Sequence, residues 1–212
     1  MTAYDVEAQL GSPAVGEDVL GRMHARLAAA AARDGLLEVS YRLIDSPIGS
    51  LLLARTPRGL VRVAFGADEE IALMDLSARI GPRILFSPIG LDDVAGQMGE
   101  YFAGTRTTFT LALDHALSQG FRAQVQALLT SIPYGATLSY GELAARAGNP
   151  RAVRAVGTAC ATNPLPIVVP CHRVLRADGS LGGYAGGPAA KAALLALESR
   201  ARQSGGPRTT LR

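Results

Sequence analysis

The sequence predicts an α+β fold, in which an N-terminal three-stranded antiparallel sheet with helices is followed by a mostly helical domain that contains a helix-turn-helix. Three short apolar runs, over 39–44, 50–55 and 60–65, are separated by turn-rich segments, as strands are. Beyond residue 115 the apolar residues recur at helical spacing instead. We therefore expect an N-terminal extension with a helix (1–37), an α/β domain (38–114), a C-terminal domain (115–200) and a flexible tail (201–212).

The N-terminal extension is expected to contain one helix. Over 17–33, apolar residues at helical spacing are followed by an alanine run, and Gly35 is a plausible stop. Residues 1–15 are polar and contain Gly and Pro, so we expect them to be loosely attached.

The α/β domain is expected to begin with an antiparallel meander. Two turns, Asp45-Ser46-Pro47 and Pro57-Arg58-Gly59, connect its three strands. Helical patterns follow over 68–80 and 91–103. Residues 107–113 fit either a strand or an extended linker to the second domain.

The C-terminal domain is expected to be helical. Its first helix stops at the turn Pro133-Tyr134-Gly135, and Ser139 is expected to cap a second helix over 140–147, with Glu142 at the capping-box position.

A third helix is expected directly after a tight connection. Asn149 suits the N-cap, Pro150 suits the first helical position, and the pattern ends near Thr162. Two short helices joined by a turn that contains Gly148 are typical of a helix-turn-helix, which the third helix would complete as the recognition helix.

The recognition helix is rich in small residues. Arg151 and Arg154 are its long side chains, whereas a reader of the major groove carries several long polar side chains. Its composition favours a close approach to a nucleic acid that is indifferent to sequence, for example in the narrow minor groove. Alternatively, the small residues pack against the rest of the domain. These small residues are Ala152, Ala155, Gly157, Thr158 and Ala159.

The net charge of +3 is distributed unevenly. Residues 1–114 carry a net charge of −5 and residues 115–212 carry +8. A basic second half is expected of a chain that meets a polyanion through that half alone. The alternative is a solvated basic surface with a basic tail.

Two cysteines, Cys160 and Cys171, are too few for a secreted disulfide scaffold and indicate a reducing compartment. With three histidines they show no zinc-ligand spacing, so no metal is expected. The chain has neither a long apolar run nor the pattern of a signal peptide, and we expect it to be cytoplasmic and away from membranes.

The pair Cys171-His172 is the candidate reactive centre. A free thiol titrates near pH 8.5, so a nucleophilic cysteine needs a neighbouring base to draw off its proton. His172 can be that base, through a water if the two side chains point apart, and Glu198 on the last helix can orient the imidazole. A purely structural Cys-His pair is the alternative.

Residues 134–198 closely resemble the O6-alkylguanine-DNA alkyltransferases, or methylated-DNA–protein-cysteine methyltransferases. Residues 39–114 match more loosely, through Asp45-Ser-Pro-Ile-Gly49 and Tyr101-Phe-Ala-Gly104; residues 1–37 and those after 200 are not covered. The stretches that carry the closer match are Ile132-Pro-Tyr-Gly135, Ser139-Tyr-Gly-Glu-Leu-Ala, Gly148-Asn-Pro, Arg154-Ala-Val-Gly157, Asn163-Pro, Pro170-Cys-His-Arg-Val174 and Gly183-Tyr-Ala-Gly-Gly187.

The resemblance implies a catalytic role for five residues. Cys171 matches the alkyl acceptor, and His172 with Glu198 matches the water-linked relay that draws off its proton. Asn163 matches the asparagine that holds the turn before the cysteine, and Tyr140 matches the tyrosine that crowds the DNA backbone and donates a proton to the leaving guanine.

The resemblance also implies DNA-binding and pocket residues. Arg154 matches the arginine that fills the base stack when guanine turns out of the duplex. The carbonyls of Cys171 and Val174 would accept the guanine amino group, while Tyr184 and the Ala185 backbone close the pocket. The DNA-binding set implied for the helix-turn-helix is Arg154, Arg151, Tyr140, Ala152, Ala155 and Gly157.

Three positions depart from the family or stand apart from its motifs. Gln126 replaces a tryptophan that is frequent in relatives, and Ala185 replaces a serine found in some of them. Cys160 on the recognition helix is interpreted as a packing residue, with a second reactive thiol as the alternative.

The function expected from the resemblance is DNA repair by stoichiometric, irreversible transfer of an alkyl group from O6-alkylguanine, with O4-alkylthymine as a further substrate, onto Cys171 after base flipping. It implies no cofactor, double-stranded DNA as partner and a monomer, with clustering on DNA left open. Two alternatives are a sensor that binds alkylated DNA without transfer and a Cys-His amide hydrolase, which would need an oxyanion hole and turn over many times.

Overall fold

The computed structural model describes residues 17–204. The predicted loose segment over 1–15 and the part of the predicted tail after Ser204 lie outside the described residues. The described part of the chain divides into two compact units, with the boundary between residues 36 and 37.

The first unit contains helix α1, Glu17–Arg33, as predicted. Gly35 follows it with φ 67°, and its N–H donates to the Ala32 carbonyl while the Leu36 N–H donates to the Ala31 carbonyl. This pair of bonds is the Schellman motif, in which glycine adopts the left-handed conformation that ends a helix.

The sheet of the second unit has four strands in the order β3-β2-β1-β4. They are β1 (Val39–Ile44), β2 (Leu51–Thr56), β3 (Gly59–Phe65) and β4 (Ile84–Phe86). The predicted meander is confirmed, since β2 pairs antiparallel with both β1 and β3. Strand β4, parallel to β1, was not predicted, because three residues are too few to show a period.

Both faces of the sheet are covered. Helix α2 (Glu69–Arg79) packs Ala72 and Leu76 against one face, with Leu52 and Val61 of the sheet. Helix α3 (Asp92–Phe102) belongs to the larger core on the other face, which continues into the helices that follow. Burial on both sides explains why β2 reads as a continuous apolar run.

Residues 107–113 form an extended linker with a single bridge to the sheet, Leu60 to Leu113. At its end the buried Asp114 accepts hydrogen bonds from Thr56 Oγ1 at 2.6 Å and from Arg58 Nε at 3.0 Å. The linker is therefore fixed to the β2–β3 turn.

The C-terminal part is mostly helical, as predicted. Its longer helices are α4 (Gly120–Leu129), α5 (Tyr140–Arg146), α6 (Val153–Ala161) and α7 (Gly187–Ser204), and strands β5 (Leu138–Ser139) and β6 (Val174–Leu175) pair in parallel. Helix α7 includes the first four residues of the predicted flexible tail. The capping box of α5 is confirmed, because Ser139 Oγ accepts from the Glu142 N–H and the Glu142 carboxylate accepts from the Ser139 N–H.

The predicted start of the recognition helix is wrong. Helix α6 begins at Val153 with Ala152 as its N-cap residue, and neither Asn149 nor Pro150 is helical. The Ala152 N–H donates to the Asn149 carbonyl at 2.9 Å, which closes a turn with Pro150 in its second position. The fixed φ of proline suits that turn position as well as it suits a helix start.

Gln126 is buried in α4 and connects two segments. Its Nε2 donates to the Ala159 carbonyl of α6 at 3.1 Å, and its Oε1 accepts from Ser118 Oγ. The glutamine thus fixes α4 to the recognition helix by hydrogen bonds.

Within residues 17–204, no helix combines the length and the apolar character needed to cross a membrane.

Replacing Ser139 by Ala removes the side-chain acceptor at the start of α5. We expect the free energy of unfolding to fall by about 1 kcal/mol, measured by urea unfolding. Ser77→Ala, in the last turn of α2 and away from its N-terminus, is the matched control and should be nearly neutral. Equal losses at both serines would contradict the capping role.

Candidate active site

Cys171 lies in a short 3-10 turn, Cys171–Arg173, directly after Pro170. The side chain of Asn163 shapes the loop before it: Nδ2 donates to the Val169 carbonyl at 2.7 Å, and Oδ1 accepts from the Leu165 N–H at 3.1 Å. Asn163 thus holds the turn before the cysteine, as the resemblance implied. The loop is also bonded to the sheet, since the Val63 N–H donates to the Pro164 carbonyl at 2.8 Å.

The buried carboxylate of Glu198 is the centre of the site. It accepts from His172 Nε2 at 2.9 Å and from Tyr101 Oη at 2.8 Å. Arg173 donates from Nε and Nη2, at 2.9 and 2.8 Å, and the Gly135 N–H donates at 2.9 Å. Burial alone would raise the pKa of Glu198, but the hydrogen bonds from His172 and Arg173 outweigh it and lower the pKa to about 2.

His172 is fully buried, and burial lowers its pKa despite the hydrogen bond to Glu198. The imidazole is therefore neutral at pH 7. Because Nε2 faces a carboxylate that can only accept, we assign the ring proton to Nε2. Nδ1, which has no hydrogen-bond partner among the described residues, then carries the lone pair and is the basic atom of the ring.

Cys171 is buried, with 4% of its surface exposed. Burial raises the pKa of its thiol to about 11, and this exceeds the lowering by a hydrogen bond from Asn163 and by the charge of Lys191. The thiol of the free protein is therefore protonated, because desolvation of the thiolate is the larger effect. The cysteine is a protonated thiol that needs a base when it reacts.

Lys191 is a part of the site that the sequence analysis did not identify. It is fully buried, its Nζ donates to the Val174 carbonyl at 2.6 Å, and it lies 5.9 Å from the ring centre of Tyr140. It is the single lysine of the chain, and this rarity was the one feature of the sequence that could have indicated a special role for it. Its positive charge favours the thiolate of Cys171.

The predicted pocket residues surround the same turn. Tyr184 meets His172 edge-on at 6.3 Å and Phe65 at 5.8 Å, and the Val174 carbonyl already accepts from Lys191. A carbonyl has two lone pairs, so it can accept a second donor. Ala185 is exposed.

Tyr140, the first residue of α5, is partly buried. A Cβ on Gly182 would come within 2.3 Å of its hydroxyl oxygen, so glycine is required there. Burial raises the pKa of Tyr140, which keeps its hydroxyl protonated.

The recognition helix exposes one face and buries the other. Arg154 and Ala155 are exposed, whereas Val156, Ala159 and Cys160 belong to the core. Of the five small residues, Ala159 packs in the core, as the alternative interpretation expects, whereas Ala155 and Thr158 are exposed. The remaining predicted DNA-binding residues lie beside the exposed face: Arg151 is exposed in the preceding turn, and Ala152 and Gly157 are partly exposed.

Cys160 is buried, and burial raises the pKa of its thiol to about 12, as expected of a packing residue. Among the described residues, no group of three or more His, Cys, Asp or Glu side chains could hold a metal ion.

Two family models match the chain. The DNA-binding domain of 6-O-methylguanine DNA methyltransferase matches residues 120–200, and its ribonuclease-like domain matches residues 39–115. A methylated-DNA–protein-cysteine methyltransferase of Mycolicibacterium paratuberculosis is 43% identical over 76% of this chain and 93% of its own length. The Rattus norvegicus protein of the same name is 38% identical over 72% of this chain and 78% of its own.

The fold is similar to a solved DNA complex. The crystal structure of Mycobacterium tuberculosis OGT in complex with DNA covers 76% of this chain and 94% of its own, with 41% identity and a TM-score of 0.66.

Glu198→Gln removes the buried negative charge at the centre of the site. A carboxylate whose pKa falls from 4.5 to about 2 on folding stabilises the protein above about pH 4.5, and this stability is lost as the pH falls through about 2. We expect the substitution to lower the free energy of unfolding at pH 7 by about 3 kcal/mol or more, because Arg173 loses its counter-charge, and to flatten the acid dependence.

Denaturant unfolding measured from neutral to acid pH checks this. Glu100→Gln, which breaks an exposed ion pair with Arg106, is the control and should cost less than about 1 kcal/mol. If the two variants lose the same stability, the central role of the Glu198 charge is refuted.

Proposed function

The chain belongs to the 6-O-methylguanine DNA methyltransferase family, whose members repair DNA by transferring the methyl group to a cysteine, and we propose that Cys171 is the acceptor in this protein. As a methylated-DNA–protein-cysteine methyltransferase it is neither a binding-only sensor nor an amide hydrolase. The observation that carries the proposal is the placement of Cys171 directly before His172. Its Nε2 is held by Glu198, and its basic Nδ1 has no hydrogen-bond partner within residues 17–204.

The reaction begins with the proton of the Cys171 thiol. It passes to Nδ1 of His172, through a water molecule, and Glu198 stabilises the imidazolium that forms. Lys191 favours the thiolate in the same interval. The resting site thus holds the thiol unreactive until a base acts on it.

The thiolate then attacks the methyl carbon. A bond between sulfur and carbon forms, the bond between carbon and O6 breaks, and its electron pair stays on the guanine. Tyr140 donates a proton to that leaving group; burial raises its pKa, which keeps the hydroxyl protonated at neutral pH but also makes it a weaker acid. Since the thioether has no easy reverse path, each molecule reacts once.

The base must leave the duplex before it can react. O6 lies on the pairing edge of guanine, where a protein side chain cannot attack it in line, and enzymes that act on a base extrude it at a cost of a few kcal/mol. The exposed Arg154 would fill the gap and pair with the orphaned base. The partly exposed Ala152 and Gly157 and the exposed Ala155 would let α6 come close to the minor groove.

The extruded base would lie between Tyr184 and the carbonyls of Cys171 and Val174, with the Ala185 backbone at the edge. Larger O6-alkyl groups and O4-alkylthymine are the further substrates proposed for this pocket. Double-stranded DNA is the partner, bound by a monomer in the cytoplasm; the complex of the M. tuberculosis relative with DNA supports DNA binding.

Cys171→Ser should abolish methyl transfer and leave DNA affinity largely intact, because binding depends mainly on phosphate contacts. After mixing with DNA that contains O6-methylguanine, mass spectrometry should find a methylene-sized gain on the Cys171 peptide of the native protein, ending at one equivalent. Cys160→Ala, a buried neighbour, should still accept the methyl group. Methylation of Cys160, or turnover beyond one equivalent, would refute the assignment.

Arg154→Ala should slow repair of duplex DNA by on the order of tenfold or more, because the gap left by the base is no longer filled. Reaction with a free O6-alkylguanine base should hardly change. Single-turnover rates on both substrates measure the difference. Arg83→Ala, which removes an exposed charge of the α/β domain, is the control and should affect neither rate strongly. Equal slowing of both substrates by Arg154→Ala would mean that it acts elsewhere.

A further inference from the structure

One member of the hydrogen-bond network around Glu198 comes from the N-terminal half of the chain. Tyr101, on α3, is fully buried, and its Oη donates to Glu198 Oε1 at 2.8 Å. The Tyr101 Oη also lies 3.5 Å from His172 Nε2. A triangle is thus formed by the Tyr101 hydroxyl, Glu198 Oε1 and His172 Nε2. It lies on the Nε2 side of the imidazole, away from Nδ1.

The ring of Tyr101 is held on several sides. Phe102 meets it edge-on at 5.5 Å, Tyr134 edge-on at 5.9 Å, and Phe109 lies tilted at 5.3 Å. Aromatic contacts of this kind fix a ring in one orientation. The hydroxyl therefore cannot turn away from Glu198 without displacing its neighbours.

The carboxylate oxygen that Tyr101 holds is the one that determines where the His172 proton resides. The Tyr101 proton is committed to Oε1, the nearer acceptor, and Oε1 also faces Nε2. Were the proton of His172 on Nδ1, its bare Nε2 would face the carboxylate, two lone pairs against each other. With the proton on Nε2, both Tyr101 and His172 donate to Oε1.

We propose that Tyr101 is a positioning residue for methyl transfer: its hydroxyl holds the Glu198 carboxylate in the orientation that keeps the His172 proton on Nε2 and leaves Nδ1 free to take the proton of Cys171. This inference rests on the proposed roles of Cys171 and His172. Tyr101 touches no substrate and gives up no proton. Burial and the charge of Glu198 raise its pKa, so that it remains a donor throughout the reaction.

The groups that set the protonation of His172 come from each element packed around it. The charged and titratable ones are Glu198 and Lys191 of α7, Arg173 and Cys171 of the same turn, Tyr101 of α3, Tyr134 of the turn after α4, and Tyr184 of the pocket loop. Arg173 and Lys191 oppose a positive charge on His172, and Glu198 favours it. Tyr101 disperses the charge of Glu198 and so limits that effect.

Tyr101→Phe tests the proposal, since it deletes the hydroxyl and keeps the ring. We expect transfer at pH 7 to slow by on the order of tenfold, equally for duplex DNA and for a free O6-alkylguanine base, with DNA affinity unchanged. Glu198 would then stabilise the imidazolium more strongly, so the acid limb of the rate profile should move up by about one pH unit. Tyr41→Phe, on β1, is the matched control and should leave the profile in place.

A profile that coincides with that of the native protein overturns the proposal, as does a uniform slowing with an unmoved acid limb, which would indicate a packing role. Nitrogen-15 NMR of the native chain gives a second readout that does not depend on folding of the variant. His172 should be neutral with its proton on Nε2; a proton on Nδ1 also overturns the proposal. Methylation of Cys171 in Tyr101→Phe, however slow, would leave the proposed function standing.

Discussion

A single buried negative charge, the carboxylate of Glu198, constrains the whole site. A carboxylate with 1% of its surface exposed is tolerated only if donors surround it, and here they come from α3, the Pro-Tyr-Gly turn and the turn that carries the cysteine. Each donor segment must therefore be in place before α7 can bury Glu198. The bidentate pair with Arg173 neutralises most of the charge, and the remaining acceptor capacity orients His172.

The burial of Cys171 explains how one thiol can be both reactive and durable. An exposed thiolate would react with any electrophile, and because the thioether is permanent each such event would consume a molecule. A thiol with a pKa of about 11 is almost entirely protonated at neutral pH, so in the proposed mechanism it is nucleophilic only while His172 accepts its proton.

The sequence predicted what depends on local patterns, and it missed what depends on long-range contacts. The meander, the α5 capping box and the Gly35 stop all follow from residues a few positions apart, whereas the position of Asn163 was implied by the family resemblance. Strand β4 forms by pairing with the edge of β1. Tyr101 and Lys191 belong to the site only through contacts with residues that are distant in the chain, Glu198 at 97 positions and Val174 at 17 positions. The start of α6 was predicted wrongly for another reason. The pair Asn149-Pro150 suits both a helix start and a turn, and only the hydrogen bond from the Ala152 N–H to the Asn149 carbonyl distinguishes them.

The α/β half supports the chemistry of the helical half although it contains no reactive group of its own. Three of the contacts that join them are Phe65 against Tyr184, the Val63 N–H on the loop before Cys171, and Tyr101 on Glu198. The first two fix the walls of the pocket, whereas the third reaches the charge that the relay depends on. Without the α/β half, Glu198 would lose the buried Tyr101 donor that limits its attraction for the charged form of His172. The sheet and α3 therefore influence the basicity of an imidazole that lies in the other half of the fold.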